Sequence, residues 1–117
     1  MEFLACGGRR DFSSAEVLLD AAITRIGPDG DLKSGRDAYL QYLVSVLGDV
    51  ADYGYEVHRC VASTDGAVVL VEIDEHLTEA DGTEQAVSEA MVFDITQQGT
   101  IGRLSVYTKL PGPAAHG

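Results

Sequence analysis

The sequence predicts an α+β domain in which N-terminal helices pack into a curved, mostly antiparallel sheet of four or more strands. Three observations carry this. Two helix-capping patterns lie in the first half, the apolar spacing turns from helical to alternating after Tyr53-Gly54, and glycine-containing turns separate the later apolar runs. Helices followed by a meander of strands is the α+β order. A sheet curving around the helices would leave a cavity between the layers.

The chain of 117 residues is long enough for one core. Residues 1–110 are read as a single domain and Pro111–Gly117 as a disordered tail. Residues 1–10 are short of a full helix, and Gly7-Gly8 would end any helix there. Ser13-Ser14-Ala15-Glu16 fits a capping box with Ser13 as N-cap, and Phe12 and Val17 are placed for a hydrophobic staple. That helix is expected to carry Val17, Leu18 and Ala21 or Ala22, ending before Gly27-Pro28-Asp29-Gly30. A second capping box, Ser34-Gly35-Arg36-Asp37, precedes a helical stripe of Tyr39, Tyr42, Leu43, Val46, Leu47 and Val50. Strands are expected at Tyr55–Ser63 and Ala67–Thr78, joined through Thr64-Asp65-Gly66. Glu79–Glu84, with Asp81-Gly82 at its centre, turns the chain into a last hairpin, Gln85–Lys109, closed by Gln97-Gln98-Gly99.

Composition excludes several functions. The net charge is −11, from 19 acidic and 8 basic residues, and only Arg9-Arg10 are adjacent basic residues. Phosphate-rich partners need clustered Lys and Arg, so neither nucleic acid nor an anionic membrane is expected. No apolar run has the length of a membrane span. Cys6 and Cys60 read as two free thiols of a reducing cytoplasm. Phe3-Leu4-Ala5-Cys6 has no basic segment or apolar run before it and is not read as a lipoprotein signal.

Two carboxylates stand out. On the last hairpin Val87, Met91, Phe93 and Ile95 alternate on one face with Glu89 among them. On the preceding strand Val69, Val71, Ile73 and Leu77 share a face with Glu75. An acid on an apolar face is costly to bury without a partner or a function. Two such acids in a dry pocket would not both ionise, giving a base and an acid from identical side chains. A bulge in either strand would instead turn its acid to the rim or to solvent. Glu72, Asp74 and His76 alternate on the opposite face, where one imidazole is too little for a metal site, so no metal is expected. His58, on a face with Glu56 and Cys60, is a candidate proton shuttle or a structural histidine. Tyr39, Tyr42, Tyr53 and Tyr55 read as core or rim, with a phenol donor open to each. Ser13 and Ser34 read as helix caps, and Gly7-Gly8 lacks phosphate-loop spacing.

Three segments resemble the SnoaL-like branch of the nuclear-transport-factor-2-like superfamily, which includes ketosteroid isomerase and limonene epoxide hydrolase. They are Arg10-Asp11-Phe12 before the first capped helix, Gly30 to Ala38 leading into the second, and the hairpin run Met91–Ile95, Gly99–Ile101 and Ser105–Tyr107. The resemblance implies a cone-shaped barrel with a pocket between helices and sheet, without cofactor, and commonly a homodimer through the outer sheet face. That outer face would carry Ser88, Ala90, Val92, Ser105 and Tyr107.

Carried over by position, the isomerase's protonated acid falls on Glu89, while its general base falls near Ile26 and its tyrosine on a first helix almost missing here. The hydrolase's Arg and two Asp fall on Ile73, Glu75 and Val106, of which only Glu75 keeps an acid. The expected site is therefore Glu75 and Glu89 as catalytic acids, with Ile73, Val87, Met91, Leu104, Val106 and His58 as substrate contacts. One functional reading is a cofactor-free isomerase, cyclase or epoxide-opening hydrolase acting on a small apolar, oxygen-bearing metabolite. The other is a non-catalytic binding or dimerisation module of the same fold.

Overall fold

A computed structural model describes residues 3–4, 11–48 and 50–109. Cys6, the Gly7-Gly8 helix end, Arg9-Arg10 and the tail from Pro111 lie outside them. The elements are helix α1 (Phe12–Val17), strands β1 (Leu19–Ile26) and β2 (Leu32–Ser34), helix α2 (Arg36–Leu47), and strands β3 (Asp52–Ala62), β4 (Val68–Thr78), β5 (Glu84–Ile95) and β6 (Ile101–Thr108). One curved six-stranded sheet holds all the strands in the order β2-β1-β6-β5-β4-β3. Every pairing is antiparallel except that of β1 with β6. The α+β class is the one expected and β3–β6 form the expected meander, but strands β1 and β2 come between the two helices instead of after them. Among the described residues no helix is long and apolar enough to cross a membrane.

The first capped helix is much shorter than expected, and its cap differs. Asp11, not Ser13, is the N-cap, its Oδ1 accepting from the Ser14 amide at 3.2 Å. The helix stops at Leu18, and the segment expected to continue it, including Ala21 and Ala22, is strand β1. Helical spacing in Val17, Leu18 and Ala21 is outweighed by the tertiary gain of pairing with β6, which buries Leu19 and Ile23 to 1% and 0% exposure. The second helix also starts one residue later than read. Ser34 ends β2, and Gly35 is the N-cap at φ +92°, with no side-chain cap. The left-handed backbone there is the conformation glycine tolerates best, and it sends the Gly35 amide to the Ile23 carbonyl at 2.8 Å. On α2, Tyr39 and Leu47 are buried and Tyr42 and Leu43 pack on the core, whereas Val46 is exposed, so the apolar stripe is narrower than its spacing indicated.

The core joins Phe3, Leu4, Ala15 and Tyr39 on the helical side to Leu19, Ile23, Val71, Ile73, Phe93, Ile101, Leu104 and Val106 on the sheet. Phe93 lies at its centre, wholly buried, opposite Val69 on β4 and Leu104 on β6, with Phe3 edge-on at 6.2 Å. Phe3 and Leu4 are helical and nearly fully buried, so the chain does place side chains of its N-terminal segment against the sheet.

Candidate active site

Whether Glu75 and Glu89 face inward depends on strand register. The β4–β5 ladder runs without interruption from Val68↔Asp94 to Thr78↔Glu84. Val71 and Ile73 are buried and Glu75 is partly buried on the same face, and Phe93 fixes the inward face of β5. An unbroken period of two therefore keeps both acids on the core side. Glu89 stands opposite Ile73, and Glu75 opposite Val87, so the carboxylates are diagonal neighbours on adjacent strands. Diagonal positions are about 7–8 Å apart, enough to hold a small reacting group between two side chains.

Glu75 is embedded in a polar cluster. The Tyr53 phenol, from the same face of β3, donates a hydrogen bond to Glu75 Oε2. Burial raises the Glu75 carboxyl above its ordinary value, while the Tyr53 hydrogen bond and the charge of Arg25 work in the opposite direction. Desolvation by burial is the largest of these causes. Burial also raises the phenols of Tyr53 and Tyr39 far above the usual tyrosine range. The Oε1 atom of Glu89 is buried and has no hydrogen-bond partner among the described residues. An unsatisfied carboxyl oxygen in a low-dielectric setting is unfavourable until a donor reaches it.

Arg25 is the main element the sequence did not disclose. It follows Ile23 on the inward face of β1 and is only 6% exposed. Its Nη1 donates to Asp31 Oδ2 at 3.0 Å, its Nη2 to the Tyr42 hydroxyl at 3.4 Å, and its Cζ lies 4.5 Å from the Tyr42 ring centre. Gly27 permits this, because a Cβ there would collide with the Asp31 carboxylate and the Arg25 guanidinium. Ile23 and Ile26 are three residues apart, a helical spacing, so the residues themselves do not mark Arg25 as a strand position. A helical assignment hid it.

The remaining expected residues divide into two groups. Ile73, Leu104 and Val106 lie on the inward face as members of the packed core, and Val87 and Met91 are partly buried beside the two acids. His58 is on the other side of the sheet. A bulge between Val57 and Arg59 shifts the register, so His58 and Arg59 both turn outward while Cys60 comes opposite inward-facing Val71. His58 Nε2 meets Asp74 Oδ2 at 2.7 Å, with half of each side chain exposed. That hydrogen bond raises the imidazole above its usual range. The opposite Asp74 oxygen accepts from Ser88 at 2.7 Å, and this bond, then His58, holds Asp74 below the usual carboxylate range. His58 therefore does not reach the acids, because it shares the outer face with Glu56, opposite Asp74, while the bulge turns Cys60 to the other side.

A groove of about 460 Å³ opens on this outer face, lined by His58, Glu72, Asp74, Ser88, Tyr107 and Lys109 among others. Asp74 is bonded there to His58 and Ser88, and Glu72 to Arg59, while Glu89 and Lys109 also line the groove. Glu72, Asp74 and His76 share the outer face as expected, and the described residues contain no metal-binding group of His, Cys, Asp and Glu. The inward face has the buried acids, the phenol donors and a buried cation.

A family model described as the SnoaL-like domain matches residues 2–104. The chain belongs to the SnoaL-like domain family. Solved structures agree on the fold. The epoxide hydrolase/cyclase-like enzyme SalBIII, described in pyran ring formation in the polyether salinomycin, superposes on this SnoaL-like domain with a TM-score of 0.81. It is 20% identical, with 93% of this chain and 86% of that one covered. A limonene-epoxide-hydrolase-like epoxide hydrolase of M. tuberculosis gives 0.79 at 21% identity, over 92% and 77%. An NTF2-like protein of unknown function from Exiguobacterium sp. 255-15 gives 0.76 at 20% identity, over 92% and 91%. At these identities the likeness is one of fold. No curated protein is significantly similar to the chain in sequence.

Proposed function

We propose that this SnoaL-like domain is a cofactor-free acid/base enzyme acting on a small, apolar, oxygen-bearing molecule held between the helices and the sheet. The observation that carries the reading is the placement of Glu75, hydrogen-bonded by Tyr53, beside Glu89 with its unpartnered buried oxygen. Glu75, destabilised as an anion by burial, takes a proton from the substrate or from an attacking water. Glu89 gives a hydrogen bond or proton to the oxygen that develops charge or opens from a ring. Epoxide opening, ring closure and isomerisation next to a carbonyl all fit this pair. The cyclase and epoxide hydrolase names among the structural neighbours support the same class.

A panel of epoxides and enolisable ketones tests this, followed by product mass and by deuterium uptake in heavy water. Turnover of at least one member by the wild-type chain, lost in Glu89→Gln with unchanged circular dichroism, is the expected result. Full turnover in Glu89→Gln would remove Glu89 from the mechanism. Binding of panel members without turnover would favour a ligand-binding module.

The homodimer is part of the same proposal. Tyr107 is 60% exposed on the outer face of β6, beside Ala90 and the small Ser88 of β5, a surface suited to flat sheet packing. Light scattering is expected to give twice the 12.4 kDa chain mass. A single-chain mass at micromolar concentration would refute the contact.

A further inference from the structure

We propose that the outer-face groove is a seat for a second copy of this chain, which places its own Tyr107 there, each copy being both knob and seat. This seat rests on the homodimer reading and gives that dimer its central contact. Tyr107 is 60% exposed, and it is the single aromatic among the exposed large apolar side chains of the described residues. The other four tyrosines, Tyr39, Tyr42, Tyr53 and Tyr55, are buried or partly buried. Aromatic rings carry a large apolar area and are enriched where protein surfaces meet.

Beside Tyr107 the sheet offers a recess. The floor of the groove of about 460 Å³ is strand β5, whose outward residues there are the small Ser88 and Ala90. One wall holds Glu72 and Asp74 of β4 and His58 of β3, and the other holds Tyr107 itself. Successive outward positions on β5 end in a hydroxyl and a methyl, while the flanking strands carry long side chains, so the recess follows from residue size. Tyr107 stands directly across from Ala90, at the rim. A two-fold contact needs a protrusion and a recess side by side on one surface, because residue i meets residue j and j meets i. Tyr107 and the recess supply that pair.

Charge and polarity point to the same occupant. A chain of net charge −11 repels its own copy, so a self-contact belongs where acids are already compensated. In this wall Glu72 is bonded to Arg59, and Asp74 to His58 and Ser88. A phenol hydroxyl both donates and accepts, which suits a lining of carboxylate, imidazole and hydroxyl, while the ring suits the Ala90 methyl. Val61 and Val68, 51% and 38% exposed, continue the same outer face toward the β3–β4 turn, so apolar area extends beyond the single ring.

Sedimentation equilibrium over a concentration series tests the seat. Wild type is expected to dimerise, Tyr107→Ala to raise the dissociation constant at least about 30-fold, and Tyr107→Phe to raise it less. Ala90→Trp fills the recess and leaves Tyr107 in place, and it is expected to be monomeric over the same range. Mixed in equal amounts, Tyr107→Ala and Ala90→Trp are expected to associate, because the intact recess of one accepts Tyr107 of the other. A monomeric wild type would refute the dimer itself, and the seat with it. A dimeric wild type whose dissociation constant is unchanged in Tyr107→Ala, or a mixture that stays monomeric, would overturn the seat alone and put the interface elsewhere. Should Ala90→Trp fail to fold, as judged by circular dichroism, Tyr107→Ala decides, since that side chain is exposed in the single chain.

Discussion

Replacing Glu75 with glutamine is expected to lower turnover by about two to four orders of magnitude, the range for loss of a positioned base, while stabilising the protein at neutral pH. The two effects share one cause. Burial raises the Glu75 carboxyl in the folded chain, so the native state keeps a proton where the unfolded chain has lost it. The favourable contribution is complete below the ordinary glutamate range and is lost as pH rises through the raised folded value. Glutamine does not titrate, and its amide oxygen can still accept from Tyr53. Melting curves of wild type and Glu75→Gln should therefore separate as pH rises from about 4 to 8, with the variant higher at the alkaline end. A variant that melts lower at pH 8, with no pH dependence in the gap, would mean that Glu75 is structurally stabilising and not held in reserve for chemistry.

Phe93→Ala is expected to produce the largest loss of stability, about 3–5 kcal/mol. Phe93 is wholly buried between Val69 and Leu104 and meets the Phe3 ring edge-on, so truncation removes contacts to the sheet and to the N-terminal helical segment together. A domain of this size is stable by only about 5–15 kcal/mol, so the loss is a large share of the total. Urea unfolding should show the free energy of unfolding fall by that amount, with Phe93→Leu losing much less because it refills most of the volume. A loss under about 1 kcal/mol in Phe93→Ala would show that the core closes without this ring.

Much of the fold was legible because it depends on local rules. The alternation in Val69–Leu77 and Val87–Ile95 specified two strands and their inward faces, and the unbroken ladder between them confirmed the placement of Glu75 and Glu89. The turns at Asp65-Gly66, Asp81-Gly82 and Gln98-Gly99 were legible because each glycine takes a positive φ. Strand β1 was not. Its sequence is compatible with either period, and the β6 edge that decides between them lies more than seventy residues away. Arg25 was lost with it.

His58 was misplaced because a period of two groups it with Glu56 without saying which face of the sheet that is. Only the pairing of Glu56 with Asp74 makes it the outer one. The bulge after Val57 also reverses Cys60, and nothing in the residues themselves marks a bulge there. Sequence alone thus determined the class, the hairpins and the two inward acids, since period-two alternation needs no distant partner. Only the tertiary structure decided that desolvation tunes Glu75, that Tyr53 bonds to it, and that His58 belongs to the outer face. Those facts come from strand order, register shifts and burial, which join residues far apart in the chain.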